Sequence, residues 1–405
     1  MGYDTLDLRT IILLYRYYDA VYYGDPPLNS SDTRFDSYMT CLKDELVVNN
    51  ELKITPSVTY KRQVPWYVDS EEVGNYDVET DQYRGDVVAV AELSKSSGLM
   101  VGVHAQRDEA HAIDTGGIPA ATYYYGKDHV GYNDYAVFGQ YDLDTDWVNM
   151  STGLRYEYED AIGGHVVPRI AFTKAWDEFH LKLLYGQAAR IPSINVLQAA
   201  VSELKAEQTK DYELEAGYRF SDSLSLVGNV FYMQVQKPIL YEADAATGGD
   251  GYYNASNDLS SAGTEIELRW KTREVSSYLS YSYYRAVDNQ IDYVRGGENL
   301  FLAAPADKIT LSETWHMRSD LDWNVSGFWM SPRKAYLYAN EGVGDLPSEF
   351  VMNTFLNYHL KSLSYGIGVA NIFNVNQWAP QPYNGGSGPL PLKGREVFVR
   401  LAYYF

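Results

Sequence analysis

The stretch GREVFVRLAYYF occupies residues 394–405. Taken in steps of two, Val397, Val399, Leu401, Tyr403 and Phe405 fall on one side, and Glu396, Phe398, Arg400, Ala402 and Tyr404 on the other. Successive side chains of a β-strand point to opposite faces, so one face here is wholly apolar and the other carries both charges. Soluble domains more often end in a polar, loosely held tail. An apolar face this regular asks for a non-aqueous neighbour.

The same alternation recurs along the chain. Phe179, Leu181, Leu183 and Tyr185 oppose Glu178, His180 and Lys182. Tyr212, Leu214, Ala216, Tyr218 and Phe220 oppose Glu213, Glu215 and Arg219. Thr264, Ile266, Leu268 and Trp270 oppose Glu265, Glu267, Arg269 and Lys271, and Leu363, Tyr365, Ile367 and Val369 oppose Ser364, Gly366, Gly368 and Ala370. A period of two over so many segments predicts about 18 strands. Only residues 194–206 read as a short helix, within a loop.

Composition narrows what the apolar face meets. The 405 residues carry a net charge of −21, which disfavours a nucleic-acid partner, since phosphate binding needs clustered Lys and Arg. Mean hydropathy is −0.34. No run approaches the roughly 18 apolar residues of a membrane helix; TIILLY is stopped by Arg16. A membrane β-barrel averages polar lumen-facing with apolar lipid-facing side chains, and hydropathy windows miss it. Tyrosine is abundant at 38 residues, against 13 Phe and 8 Trp, and amphipathic rings belong at membrane interfaces. Cys41 is the only cysteine, so no intramolecular disulfide forms. The start, MGYDTLDLRT, shows no basic n-region and no cleavage site.

The connections carry as much information as the strands. Short ones fall near 95–98, 143–146, 175–177, 221–223, 272–274, 318–320 and 361–363. Long ones fall at roughly 64–80, 113–130, 188–209, 238–255, 286–306, 332–349 and 374–394, and short and long alternate apart from a brief member of the long class at 159–164. An up-and-down outer-membrane barrel has short periplasmic turns and long extracellular loops, whereas a Greek-key sandwich has no reason to sort them. A soluble propeller or solenoid would show a blade-length repeat, and none is present. The expected fold is an all-β, antiparallel, up-and-down transmembrane β-barrel, a single domain over residues 1–405. Charged residues on the second face, such as Glu265, Glu267 and Arg269, are expected to point into the lumen.

Several segments, in order, resemble a known family. YNDYAVFGQYDLDTDWVNMSTGLRYEYED, HVVPRIAFTKAWDEFHLKLLYGQAARIPS, LKAEQTKDYELEAGYRF, SSAGTEIELRW, GVANIFNVNQWAP and the closing GREVFVRLAYYF are each similar to landmarks of the TonB-dependent outer-membrane receptors. The resemblance covers nearly the whole chain. It implies a barrel of about 22 strands around an N-terminal plug, in the outer membrane of a Gram-negative bacterium, importing scarce nutrients such as ferric siderophores, cobalamin or haem with energy from the TonB complex. On that comparison the chain lines up with the later strands. The plug, the TonB box and the first strands are expected to be missing, as in a truncated or partial chain, so the TonB complex is a partner only if they exist upstream. The alternative reading is a plugless passive pore. Outer-membrane lipid and lipopolysaccharide are expected partners, as is the barrel-assembly machinery through Phe405.

Candidate ligand contacts follow from loop chemistry. Aromatic platforms suit flat or lipophilic ligands, which singles out Tyr123, Tyr124 and Tyr125, with His129 nearby, and Trp378 and Tyr383 in the last long loop. In the 188–209 loop, Arg190 and Glu207 match family positions, with an ion pair that braces the loop as the plainer reading. That loop holds no histidine, which by the resemblance speaks against haem. The ligand is expected to be a small molecule such as a metal chelate. No cofactor and no metal site are read from spacing. The seven histidines are scattered, there is no G-x-S-x-G or H-E-x-x-H, and no nucleotide-binding glycine motif is present, so no enzyme activity is expected.

Overall fold

The computed structural model describes residues 5–15, 32–69, 76–114, 128–198, 200–242, 251–291, 300–337, 343–380 and 389–404. Tyr123, Tyr124, Tyr125, Tyr383 and Phe405 lie outside them. The first strands are β1 (Thr5–Tyr15), β2 (Asp32–Val47), β3 (Leu52–Asp69), β4 (Tyr76–Ser94), β5 (Ser97–Asp114), β6 (His129–Asp144), β7 (Asn149–Glu159), β8 (Gly163–Ala175) and β9 (Phe179–Arg190). Helix α1 (Ile194–Gln198) precedes β10 (Glu207–Ser221), β11 (Leu224–Gln236), β12 (Ile239–Glu242), β13 (Gly251–Asn254), β14 (Leu259–Lys271), β15 (Val275–Asp288) and β16 (Asp307–Arg318). The remainder are β17 (Leu321–Met330), β18 (Arg333–Tyr336), β19 (Val343–Leu346), β20 (Glu349–Leu360), β21 (Leu363–Ala370), β22 (Trp378–Ala379), β23 (Leu390–Pro391) and β24 (Glu396–Tyr403).

Eighteen of these strands form one sheet, as the alternation predicted. The chain divides into two compact units. In the first, β1 to β7 pair each with the next, all antiparallel. In the second, β11, β14, β15, β16, β17, β20, β21 and β24 do the same. The strands left out of the sheet form three small hairpins, β12–β13, β18–β19 and β22–β23. Each is folded into one of the expected long loops.

Local chemistry explains the short turns. Asn49 Oδ1 accepts the amides of Glu51 and Leu52, both at 2.8 Å. Thr145 Oγ1 accepts those of Trp147 and Val148, and Thr272 Oγ1 those of Glu274 and Val275. Ser94 and Ser221 cap their turns the same way. A short polar side chain that satisfies the turn amides substitutes for the ladder that has just ended. At the β16–β17 turn Arg318 donates twice to Asp320, at 2.9 Å each, and holds that carboxyl below the usual carboxylate range.

The two faces separate as expected. Val397, Val399, Leu401 and Tyr403 of β24 are 64–78% exposed, and Val101, Val103, Tyr135, Val137, Leu183 and Ile367 are about half exposed. The opposite face packs rings on glycines. Phe355 and Phe398 stack at 5.7 Å with planes 10° apart, and Cβ atoms built on Gly366 and Gly368 would collide with these rings.

Two boundaries differ from the sequence reading. The loop expected at 64–80 is largely strand, paired as far as Val68 with Tyr76; in VPWYV, from Val64 to Val68, both faces are apolar and the register shifts between Gln63 and Trp66, so the period-two signal vanishes while the backbone ladder continues. The helix expected over 194–206 shortens to Ile194–Gln198.

Gly327 permits the close approach of β17 to β20. A Cβ there would sit 2.6 Å from the Val351 carbonyl oxygen and 3.3 Å from Met352 Cα. Gly327→Ala is expected to cost about 1–3 kcal/mol, read as a lower urea midpoint for loss of the folded band on unheated gels. An unchanged midpoint would contradict the close approach.

Candidate functional site

The expected extracellular ends of the first unit's strands enclose a polar cavity of about 450 Å³. Strands β3 to β7 supply its walls, and the segment from Ile191 to Leu197 lies against it. The segment is held from both sides. Gln198 Nε2 donates to the Tyr132 hydroxyl at 2.9 Å. Arg190 Nη2 donates to Glu207 Oε2 at 2.9 Å, and the same oxygen accepts the Ile239 amide at 2.9 Å. Lys205 and Asn254 exchange two further hydrogen bonds. Arg190 and Glu207 thus brace the segment against the start of β12.

Carboxylates outnumber cations in the lining. Asp81, Asp108, Glu109, Asp134 and Glu159 reach the cavity, with Lys61 as the lining cation. Several are oriented by neighbours: Tyr60 donates to Asp81 at 2.7 Å, and Gln82 and Gln106 donate to the two oxygens of Asp108 at 2.8 and 2.7 Å. Two acceptors are left over. Asp134 Oδ1 and Glu159 Oε2 are buried with no hydrogen-bond donor in reach among the described residues. A buried carboxylate oxygen without a donor is costly, and both residues belong to the cavity wall.

Below the cavity, the interior face carries a linked charge network. His104 Nδ1 lies 2.7 Å from Asp86, and its Nε2 lies 3.5 Å from Asp134. Arg84 pairs with Asp86 at 2.7 Å, Arg155 with Glu157 at 2.6 Å, and His165 approaches Glu157 at 3.4 Å. Sequence reasoning missed this cluster. Asp86 and His104 are direct cross-strand partners, and only the register brings them together.

The remaining sequence candidates lie elsewhere. His129 opens β6 and stacks on His111, with ring centroids 4.4 Å apart. In the second unit, Trp378 lies beside the buried Arg333–Glu349 ion pair. Its carbonyl accepts from Arg333, and its amide donates to Glu349, at 3.4 Å each. The contact is through its backbone rather than its ring.

A family model described as TonB dependent receptor-like, beta-barrel, matches residues 2–372. Among solved structures, a mutant of the ferric enterobactin receptor PfeA from Pseudomonas aeruginosa aligns with TM-score 0.75 and 16% identity, covering 95% of this chain and 65% of that one. The FrpB iron transporter of Neisseria meningitidis (F3-3 variant) aligns with TM-score 0.73 and 14% identity, over 99% and 68% of the two chains. The siderophore receptor PirA of Acinetobacter baumannii aligns with TM-score 0.72 and 16% identity, over 93% and 63%. At these identities the likeness is one of fold. The chain spans about two thirds of the length of these structures. A stretch of 151 residues is 29% identical to mannose-1-phosphate guanylyltransferase ManC of Salmonella typhimurium, covering 35% of this chain and 31% of that enzyme. So partial a match carries no catalytic reading, and the matched family is one of transporters.

If Glu207 anchors the segment, Glu207→Ala frees the Ile239 amide. Hydrogen exchange at Ile239 is expected to accelerate by about tenfold or more, the equivalent of about 1.4 kcal/mol of lost local protection. Unchanged exchange there would show that other contacts hold β12.

Proposed function

This chain belongs to the TonB-dependent receptor-like β-barrel family, and on that premise we propose that it forms the barrel of an outer-membrane receptor for a scarce nutrient. The cargo class is a ferric siderophore or a cobalamin-like complex. Uptake is coupled to the TonB complex through the plug and TonB box that the family carries ahead of its barrel. Three things support this reading: the family match, the siderophore receptors among the structural neighbours, and an exposed apolar strand face suited to lipid.

The observation that carries it is the acid-lined cavity at the long-loop ends. Its volume lies within the usual range for small-molecule sites. Its lining carboxylates can accept hydrogen bonds from a donor-rich molecule. Five carboxylates against Lys61 disfavour an anionic cargo, because like charges brought together in a partly desolvated site repel strongly. The cavity therefore selects a neutral or cationic, donor-rich complex over a trianionic ferric tris-catecholate. Arg190 and Glu207 serve it indirectly, by fixing the segment that covers the cavity.

Binding of three probes to the detergent-solubilised chain tests this: a cationic ferric hydroxamate, a neutral corrinoid and a trianionic ferric tris-catecholate. One of the first two is expected to bind at least about tenfold more tightly than the third, equivalent to about 1.4 kcal/mol. Asp108→Asn combined with Asp134→Asn is expected to narrow that gap. Tightest binding of the trianionic probe, or a gap indifferent to the substitutions, would refute the proposed charge selection.

A further inference from the structure

On β5 and β6 the residue pairs Val101 with Gly139, Val103 with Val137, Ala105 with Tyr135, Arg107 with Asn133, Glu109 with Gly131 and His111 with His129 follow one another without a register shift. Alternate pairs share a face, and this face holds the exposed Val101, Val103, Tyr135 and Val137. Towards the long-loop end its character changes. Between roughly 14 and 27 Å beyond Val103 along the strand, apolar side chains give way to Arg107, Glu109, His111 and His129.

We propose that Glu109, His111 and His129 bind one divalent ion of borderline softness, of the zinc, nickel or copper(II) class. Their ligand atoms lie within 4.8 Å of one another. The imidazoles face each other at 4.4 Å across the ladder, and His129 Nε2 is 4.0 Å from Glu109 Oε1. An ion held at about 2.0–2.1 Å by each donor needs them roughly 3.4 Å apart, which rotation about the side-chain bonds supplies without moving the backbone. Two imidazoles and one carboxylate suit this class and not calcium or magnesium, which take all-oxygen shells.

The surroundings fit a ligand set. Arg107 donates to Glu109 at 2.7 Å and to Asn133 at 3.1 Å, fixing the carboxylate from behind as outer-shell partners of metal sites do. Gly131, opposite Glu109, leaves the space these side chains use: a Cβ there would lie 3.0 Å from Arg107 Nη2 and 3.3 Å from Glu109 Cγ. With 42% of the His129 side chain exposed, an ion has a path in from solvent. Only the strand pairing brings the donors together, so no linear motif announces them. Glu109 also borders the acid-lined cavity, while His111 and His129 do not line it, so the donor geometry stands without the transport reading.

Zinc titration of the full chain in detergent micelles, monitored by calorimetry, gives the first measurement. Copper(II) electron paramagnetic resonance gives the second, reporting the nitrogen donors directly. The unaltered chain is expected to bind one zinc ion that calcium and magnesium do not displace, and to give a copper spectrum with imidazole nitrogen couplings. His111→Ala with His129→Ala is expected to lower zinc affinity by at least about tenfold and remove those couplings, and Glu109→Gln to give a smaller loss. A second cluster, His316 and His359 about Asp322, supplies the control. His316→Ala with His359→Ala is expected to leave binding unchanged. The proposal is overturned if the unaltered chain binds no zinc, if its copper spectrum lacks nitrogen couplings, or if the loss follows the control variant instead.

Discussion

A backbone amide or carbonyl in hydrocarbon has no water to turn to, so a strand that crosses a membrane must pair along its whole length within the protein. The ladders of this chain obey that demand unevenly, and the unevenness is informative. Register shifts occur at Arg34/Asp36, Gln63/Trp66, Asp77/Val78, Glu92/Ser94, Ser260/Ser261 and His316/Arg318. All lie towards strand ends. In the stretches that carry the exposed apolar side chains, such as Val101 to Val103 against Val137 to Gly139, pairing is unbroken. A bulge leaves a residue unpaired, which water at the ends can satisfy and lipid in the middle cannot.

The same demand inverts the usual arrangement of a globular protein. The large apolar side chains, Val399 and Leu401 among them, face outward, so burial among themselves cannot hold the strands together. Cohesion falls to the ladders, to rings laid over glycines as at Gly366 and Gly368, and to interior ion pairs. Asp86, His104, Asp134, Arg155 and Glu157 form a chain of such contacts across neighbouring strands. A charge removed from that chain leaves its partner unpaired in a partly desolvated place, which costs more than a surface pair would.

How much of this was legible in the sequence depended on whether one face was apolar. Where it was, as in Val397 to Tyr403 or Tyr212 to Phe220, alternation alone placed the strand and its faces. Where the alternation lapses, as in VPWYV from Val64 to Val68, the strand continues unseen. The hairpins inside long loops, such as Arg333–Tyr336 with Val343–Leu346, are too short to show a period. Turn positions such as 143–146 and 272–274 were legible because Thr145 and Thr272 act within a few residues of themselves, whereas the turn at Asn49 was not read. The site was legible only in part. Arg190 and Glu207 do meet, in the bracing role that was the plainer reading of them, but the Asp134 and Glu159 oxygens and the Glu109, His111 and His129 cluster depend on cross-strand register. Register follows from the sheet as a whole and leaves no trace in residue spacing.

Register also accounts for the division of labour between the two faces of one strand. On β5, His104 turns inward to Asp86 and Asp134, while Glu109 and His111 lie on the face shared with Val101 and Val103. A single-residue slip against β6 would exchange these environments, driving the charged set towards lipid and the valines towards the lumen. Both outcomes are expensive. The interior network and the apolar exterior therefore select the same register. That register sets His111 against His129 and Asp134 beside the acid-lined cavity. The precision of both candidate sites is thus a by-product of the constraint that lets the strand sit in a membrane at all.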